Sequence, residues 1–149
     1  MTIPRLNTRN GLLGVGTAAV VVGLLAGCSA PRVIGEPYAG AGRGTLATDP
    51  SDTGPTVGWV REGERFFVTT YGSSSCPIAP TRLESNDDGP MVTMTRTGGD
   101  ACTADSGPAS YALDLPERFH GRERVTVSLR FEDDGRVVRR ELRRSDDAG

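Results

Sequence analysis

The chain has 149 residues, a formal net charge of −2 and three cysteines. Its 17 basic residues, all arginine, are outnumbered by 19 acidic ones, so the basic footprint of a nucleic-acid binder is missing. One histidine and no second pair of thiols argue against a zinc site, and no cofactor is indicated.

The N-terminus comes first. Arg5 and Arg9 precede any acidic residue, and the stretch 11–27 carries no charge. Residues 15–26 are rich in Val, Leu and Ala, and Leu25-Ala26-Gly27-Cys28 closes the run. A charged, then apolar, then small-residue layout is that of an export signal. The apolar run is shorter than the roughly 20 residues a spanning helix prefers. The four closing residues match a bacterial lipobox. Small side chains at Ala26 and Gly27 admit a peptidase, and the Cys28 thiol takes a diacylglyceryl group. Two acyl chains supply the two signals that stable anchoring needs. An ordinary secretory signal or uncleaved anchor with an incidental cysteine is the competing reading. Every version places the remaining chain outside the cytoplasm, and the lipobox reading places it on the outer face of the membrane. Cleavage before Cys28 leaves 122 residues, enough for one domain.

Residues 28–55 form the next segment. Gly35, Gly40, Gly42, Gly44 and Gly54 alternate with Pro31, Pro37, Pro50 and Pro55. Apolar residues are scattered without period, so little surface is available to offset ordering entropy. The segment reads as a flexible tether, about 26–31 Å long on average for a Gly-rich coil. A short strand near Val33-Ile34 is the weaker alternative.

The single domain, 56–145, reads as β. Segments 56–60 (TVGWV) and 65–71 (RFFVTTY) are rich in β-branched and aromatic residues, with Glu62-Gly63-Glu64 as a turn. Segment 91–96 (MVTMTR) is a third strand. Segment 110–115 puts Tyr111, Leu113 and Leu115 on one face. The strongest alternation is in 125–131, with Val125, Val127, Leu129 and Phe131 facing one way. Asp134-Gly135 then favours a tight turn. Segment 136–142 returns as its partner strand, or as a short helix with Val138 and Leu142 four apart. Residues 146–149 are a tail. The expected fold is all-β: a small sandwich or open barrel of six or seven short strands.

With Cys28 acylated, Cys76 and Cys102 remain. Outside the cytoplasm such a pair most readily forms a disulfide. The wide spacing suits a structural bridge better than a redox pair. On the chain-entropy account it stabilises by about 3–4 kcal/mol.

Gly72-Ser73-Ser74-Ser75-Cys76-Pro77 closes a strand. Cys102-Thr103-Ala104-Asp105 follows about 25 residues later, before Tyr111-Ala112-Leu113-Asp114-Leu115-Pro116. This pattern resembles a group of small lipoproteins of actinobacteria, over roughly 56–130. Ser106-Gly107 departs from it, where an apolar residue would follow the Asp. The resemblance implies a lipid-anchored, disulfide-stapled, all-β domain and carries no catalytic residues. The all-arginine usage fits codon bias in a GC-rich genome.

Candidate chemistry is sparse. Ser73, Ser74 and Ser75 offer hydroxyl nucleophiles, but no G-x-S-x-G elbow holds them. His120 is the one imidazole base, and its setting reads as an exposed loop. The serines fit better as loop hydrogen-bonding groups beside the disulfide. Asp87-Asp88, Asp133-Asp134 and Asp146-Asp147 are paired carboxylates; the first two pairs precede Gly and read as turns. Calcium at Asp87-Asp88 lacks an EF-hand pattern. Asp100 and Asp105 flank Cys102 as capping groups or as the wall of a polar pocket. Arg136, Arg139, Arg140, Arg143 and Arg144 suit phosphate or carboxylate, but interspersed acids make them a charged, solvated edge strand. Trp59 and Tyr71 read as core aromatics.

Two functions from different classes follow. The first is a tethered, non-catalytic module on the membrane that binds a wall component, a small ligand or another envelope protein. The second is an extracytoplasmic hydrolase whose Ser and carboxylate groups converge only in the fold.

Overall fold

The computed structural model describes residues 31–39 and 53–144. The export segment, Cys28, Asp146-Asp147 and the tail lie outside the described residues. Eight strands form two four-stranded sheets packed as a sandwich, not a closed barrel. They are β1 (Glu36–Pro37), β2 (Thr56–Arg61), β3 (Arg65–Gly72), β4 (Ile78–Asn86), β5 (Gly89–Arg96), β6 (Gly107–Asp114), β7 (Arg124–Phe131) and β8 (Val137–Arg143). The first sheet has the order β1-β6-β3-β2 and the second β4-β5-β7-β8. All pairs are antiparallel except β5 with β7. Between those two the chain crosses to the other sheet as β6, and it returns running in its original direction.

Period-2 alternation builds the core. Val125, Val127, Leu129 and Phe131 of β7 are all buried, as the alternation requires. Phe66 and Val68 of β3, Val57 of β2 and Leu113 of β6 meet them from the facing sheet, with Val92 and Met94 of β5. A 3-10 turn, Glu117–Phe119, drops Phe119 into the same cluster at 1% exposure. The guanidinium groups of Arg118 and Arg122 lie 5.2 and 5.0 Å from its ring centre. They cover the ring with charge rather than leaving it to water. β8 is a strand and not a helix, with Val138 half-buried and Leu142 buried on its inner side.

Two strands go beyond the sequence reading. β4 contains Pro80, which argues against a strand interior. However, the Pro80 carbonyl points off the edge of the second sheet, where it accepts the Ile34 N–H at 2.8 Å. The N and C=O of one strand residue point to the same side, so the missing Pro80 donor faces the edge and costs no ladder bond.

β1 corrects the tether. Residues 31–39 do not hang free; they cross the gap between β4 and β6 as a strap. Ile34 packs against the core, and Glu36 and Pro37 pair with Ala112 and Tyr111. The Tyr38 N–H donates to the Ser110 carbonyl at 2.9 Å. The Tyr38 ring stacks on Phe67 with centroids 5.2 Å apart. Phe67 lies on the outer side of β3, opposite Phe66 and Val68, and is nevertheless fully buried. The apolar surface that orders the strap therefore belongs to the domain. Gly35 makes the crossing possible: its φ is +79°, and a Cβ there would meet the Ala112 carbonyl oxygen at 2.5 Å.

The opposite gap, between β2 and β8, is closed by side chains. Trp59 Nε1 donates to the Arg143 carbonyl at 2.9 Å. Arg140 Nε donates to the Pro55 carbonyl at 2.8 Å, and Arg144 Nε to Glu62 Oε1 at 3.3 Å.

Candidate functional site

The chemistry-bearing residues fall at two ends of β6. At its start, the β3–β4 and β5–β6 connections both cross between sheets, and the Cys76–Cys102 disulfide joins them. The Cα atoms of the bridged cysteines are 5.4 Å apart, within the normal range. Gly98 lets the two connections touch. A Cβ at that residue, whose φ is +108°, would meet the Ser75 carbonyl oxygen at 2.3 Å.

Around the disulfide lies a hydroxyl cluster centred on Thr103. Ser73 Oγ and Ser75 Oγ are 2.9 and 3.1 Å from Thr103 Oγ1. The Thr103 N–H donates to Ser75 Oγ at 2.9 Å. Thr103 Oγ1 donates to Asp105, whose two carboxylate oxygens each accept the Ser74 N–H at 3.3 Å. The Thr103 hydroxyl, then Ser74, stabilises the carboxylate and holds Asp105 below its ordinary pKa. A carboxylate so stabilised is a weaker base. The serines thus bond across the loops, to a neighbouring hydroxyl and a backbone N–H, and Asp105 caps the Ser74 amide.

His120 lies beyond the other end of β6. Its Nε2 is 2.8 Å from the Leu115 carbonyl, which can only accept, so Nε2 carries the proton in that bond. It lines a crevice of about 270 Å³ with Arg61, Glu64, Arg65, Asp114 and Glu117. The arginines there are paired. Arg61 meets Glu64 at 2.6 Å, and Arg65 meets Glu36 at 2.7 Å and Asp114 at 3.5 Å. The buried Arg65 Nε forms no hydrogen bond among the described residues, since Asp114 stands at ion-pair distance without hydrogen-bond geometry. Gly72 is opposite Gly107 and Arg65 opposite Asp114 in the ladder. The serine cluster and His120 are therefore separated by most of β6, about 24 Å at strand rise. The structure brings Ser73, Ser74, Ser75 and Asp105 together and places His120 apart from them.

A shallow cleft of about 330 Å³ runs beside the strap, lined by Pro37, Tyr38, Ala39, Ala109, Ser110 and Tyr111. Two phenol rings border small side chains there. Partial burial raises the Tyr111 phenol pKa, which keeps it a neutral hydrogen-bonding group.

The remaining candidates take structural positions. Asp87-Asp88 is the two-residue turn between β4 and β5, and Asp87 pairs with Arg118 at 3.0 Å. Asp134 accepts from the Arg136 N–H at 2.9 Å in the β7–β8 turn, and Asp133 pairs with Arg96 at 3.2 Å. No group of three or more metal-ligating side chains occurs among the described residues. β8 is an edge strand, as its charges suggested, although Arg140 and the following Arg144 also reach across to Pro55 and Glu62, which flank β2. Trp59 is half-buried against the core. Tyr71 is instead 36% exposed, because it shares the outer side of β3 with Phe67 and Thr69 and lies beyond the strap's cover. No helix of the described residues is long and apolar enough to cross a membrane.

No family model, curated protein or solved structure matches this chain.

Proposed function

We propose that this chain is an extracytoplasmic envelope protein, lipid-anchored through Cys28, that works as a non-catalytic binding or interaction module. The observation that carries the non-catalytic part is the separation of the serine–Asp105 cluster from His120 along β6. General-base activation of a hydroxyl needs the base within hydrogen-bond reach. The group that does reach the cluster, Asp105, is a carboxylate made less basic by its bonds. The anchor is supported by the lipobox and the preceding apolar run. The Cys76–Cys102 bridge supports an oxidising compartment. The resemblance to actinobacterial lipoproteins points the same way. The cleft between Tyr38 and Tyr111 is the binding surface of this reading, with a wall component or a second envelope protein as its partner.

Fractionation of expressing cells tests the anchor. Wild-type protein is expected with the membranes, its N-terminal peptide heavier by a diacylglyceryl group. Cys28→Ser is expected in the soluble extracytoplasmic fraction, and unchanged membrane retention would overturn the anchor. A fluorophosphonate probe tests the chemistry. Silence supports the module, whereas labelling abolished by alanine at Ser73, Ser74 or Ser75 would establish the hydrolase instead.

A further inference from the structure

We infer that the anchored protein lies directly on the membrane, with the strap end of the sandwich, carrying Arg32, Val33 and the adjacent β4 residue Arg82, as its lipid-facing surface. The inference rests on the acylation of Cys28 proposed above. A diacylglyceryl group places the Cys28 sulfur in the headgroup layer, about 5–8 Å deep on each side of the hydrocarbon. A free tether through residue 55 would let the domain stand about 26–31 Å away on average. The docked strap removes that freedom. Ile34 is bonded to Pro80 and buried against the core, and Gly35 fits closely over Ala112 and Leu113. The folded body therefore begins at the strap. From Cys28 to Pro31 there are three residue steps, which span at most about 11 Å. From Cys28 to Ile34, where the backbone is pinned to β4, the limit is about 22 Å.

The surface at this point suits lipid headgroups. Arg32 is exposed, and Val33 is 37% exposed although large and apolar. Arg82, also exposed, stands two residues beyond the Pro80 attachment on the same edge strand. Arginine forks bind phosphate in two places at once, and an exposed Val enters the headgroup boundary at little cost. The charge of the strap's own carboxylate, Glu36, is offset by its pairing with Arg65 at 2.7 Å. The partner is thus a bilayer bearing anionic headgroups.

The test uses full-length lipidated protein in vesicles of phosphatidylglycerol and phosphatidylcholine, with the disulfide intact by mass. A fluorophore is placed at Val33→Cys or at Val137→Cys, both exposed sites. Val137 lies on β8, three strands across the second sheet from β4, about 14 Å away. A headgroup-attached spin label is expected to quench position 33 several-fold more than position 137. Arg32→Glu should reduce the quenching at 33 in phosphatidylglycerol-rich vesicles. Inserting twelve Gly/Ser residues between Ala30 and Pro31, a spacer of about 17–21 Å, should bring position 33 down to the level of 137. Equal quenching at the two positions in protein that carries the lipid would overturn this surface while leaving the anchor intact. A native Cys28 of unmodified mass would overturn the anchor, and the surface with it.

Discussion

The two ends of β6 hold different polar side chains, hydroxyls around one carboxylate at one end and ion pairs at the other, and use them in opposite ways. At the Gly107 end, hydroxyls and a carboxylate sit on two loops that a covalent bridge has already brought together, and the hydroxyls of Ser73 and Ser75 meet Thr103 across that junction. At the Asp114 end, arginines and acids sit on strands that the sheet already aligns. Arg61 and Glu64 flank one turn, and Arg65 pairs across to Asp114 and Glu36. The first end needs its polar groups to define loop geometry. The second would keep its shape without them, because the ladder of β3 and β6 supplies it. The contrast predicts large effects at the bridged end and small ones at the ionic end.

The largest effect is expected from Cys76→Ser with Cys102→Ser. Losing the bridge should lower unfolding free energy by about 3–4 kcal/mol. Chemical denaturation under oxidising conditions checks it. A change below about 1 kcal/mol would mean that the hydroxyl cluster alone holds the loops, and the contrast would need redrawing.

How far these features could be read in advance follows from the same physics. The β7–β8 hairpin was legible because one face is buried and one is wet, which writes a period of two into Val125, Val127, Leu129 and Phe131. β3 was legible from composition, since a central strand buried on both faces carries Phe66, Phe67, Val68, Thr69 and Thr70 in a run. β4 was not, because Pro77, Pro80 and the polar 84–86 stretch look like loop; only its edge position makes Pro80 tolerable. The strap was hidden for a related reason. Two ladder residues, one Ile and one Tyr carry no period, and the partners that order them, Phe67 and Ala112, are remote in sequence. At the candidate site the cysteine pair was legible by elimination, whereas Thr103 as the hub of the cluster was missed. Its signal was present: Ser75 precedes Cys76 and Thr103 follows Cys102, so the bridge itself makes these two hydroxyls neighbours.

Thr103→Val sharpens the comparison at intermediate scale. It keeps the shape but removes the hydroxyl that meets Ser73, Ser75 and Asp105, and about 1 kcal/mol should be lost. Its pH dependence separates a cluster effect from a packing effect. Asp105 has its pKa lowered in the folded protein, so its contribution is fully present above the unfolded value of about 3.9 and is lost as pH falls through the folded value. The wild-type denaturation midpoint should therefore drop as pH is taken from 5 to 2. The main cause of the shift is the Thr103 hydroxyl, so Thr103→Val should flatten that drop. Parallel profiles for the two proteins would show that Asp105 does not depend on Thr103.

His120→Ala sets the lower bound. The imidazole is exposed, and its bond to the Leu115 carbonyl closes a short turn that the buried Phe119 already fixes from inside. Phe119 also donates its N–H to the Pro116 carbonyl at 2.9 Å, so the turn keeps a backbone bond without the histidine. The expected loss is within about 0.5 kcal/mol, the usual range for a surface change that leaves no buried group unpaired. Phe119→Ala provides the scale, with about 3–5 kcal/mol expected from emptying its place in the core. If His120→Ala approached that figure, the imidazole would be holding the β6–β7 connection in place. The ionic end would then be as polar-dependent as the bridged one. A value near zero leaves His120 with no task in the fold and makes the 270 Å³ crevice, the one place where it meets paired acids and arginines, the next surface to probe for a ligand.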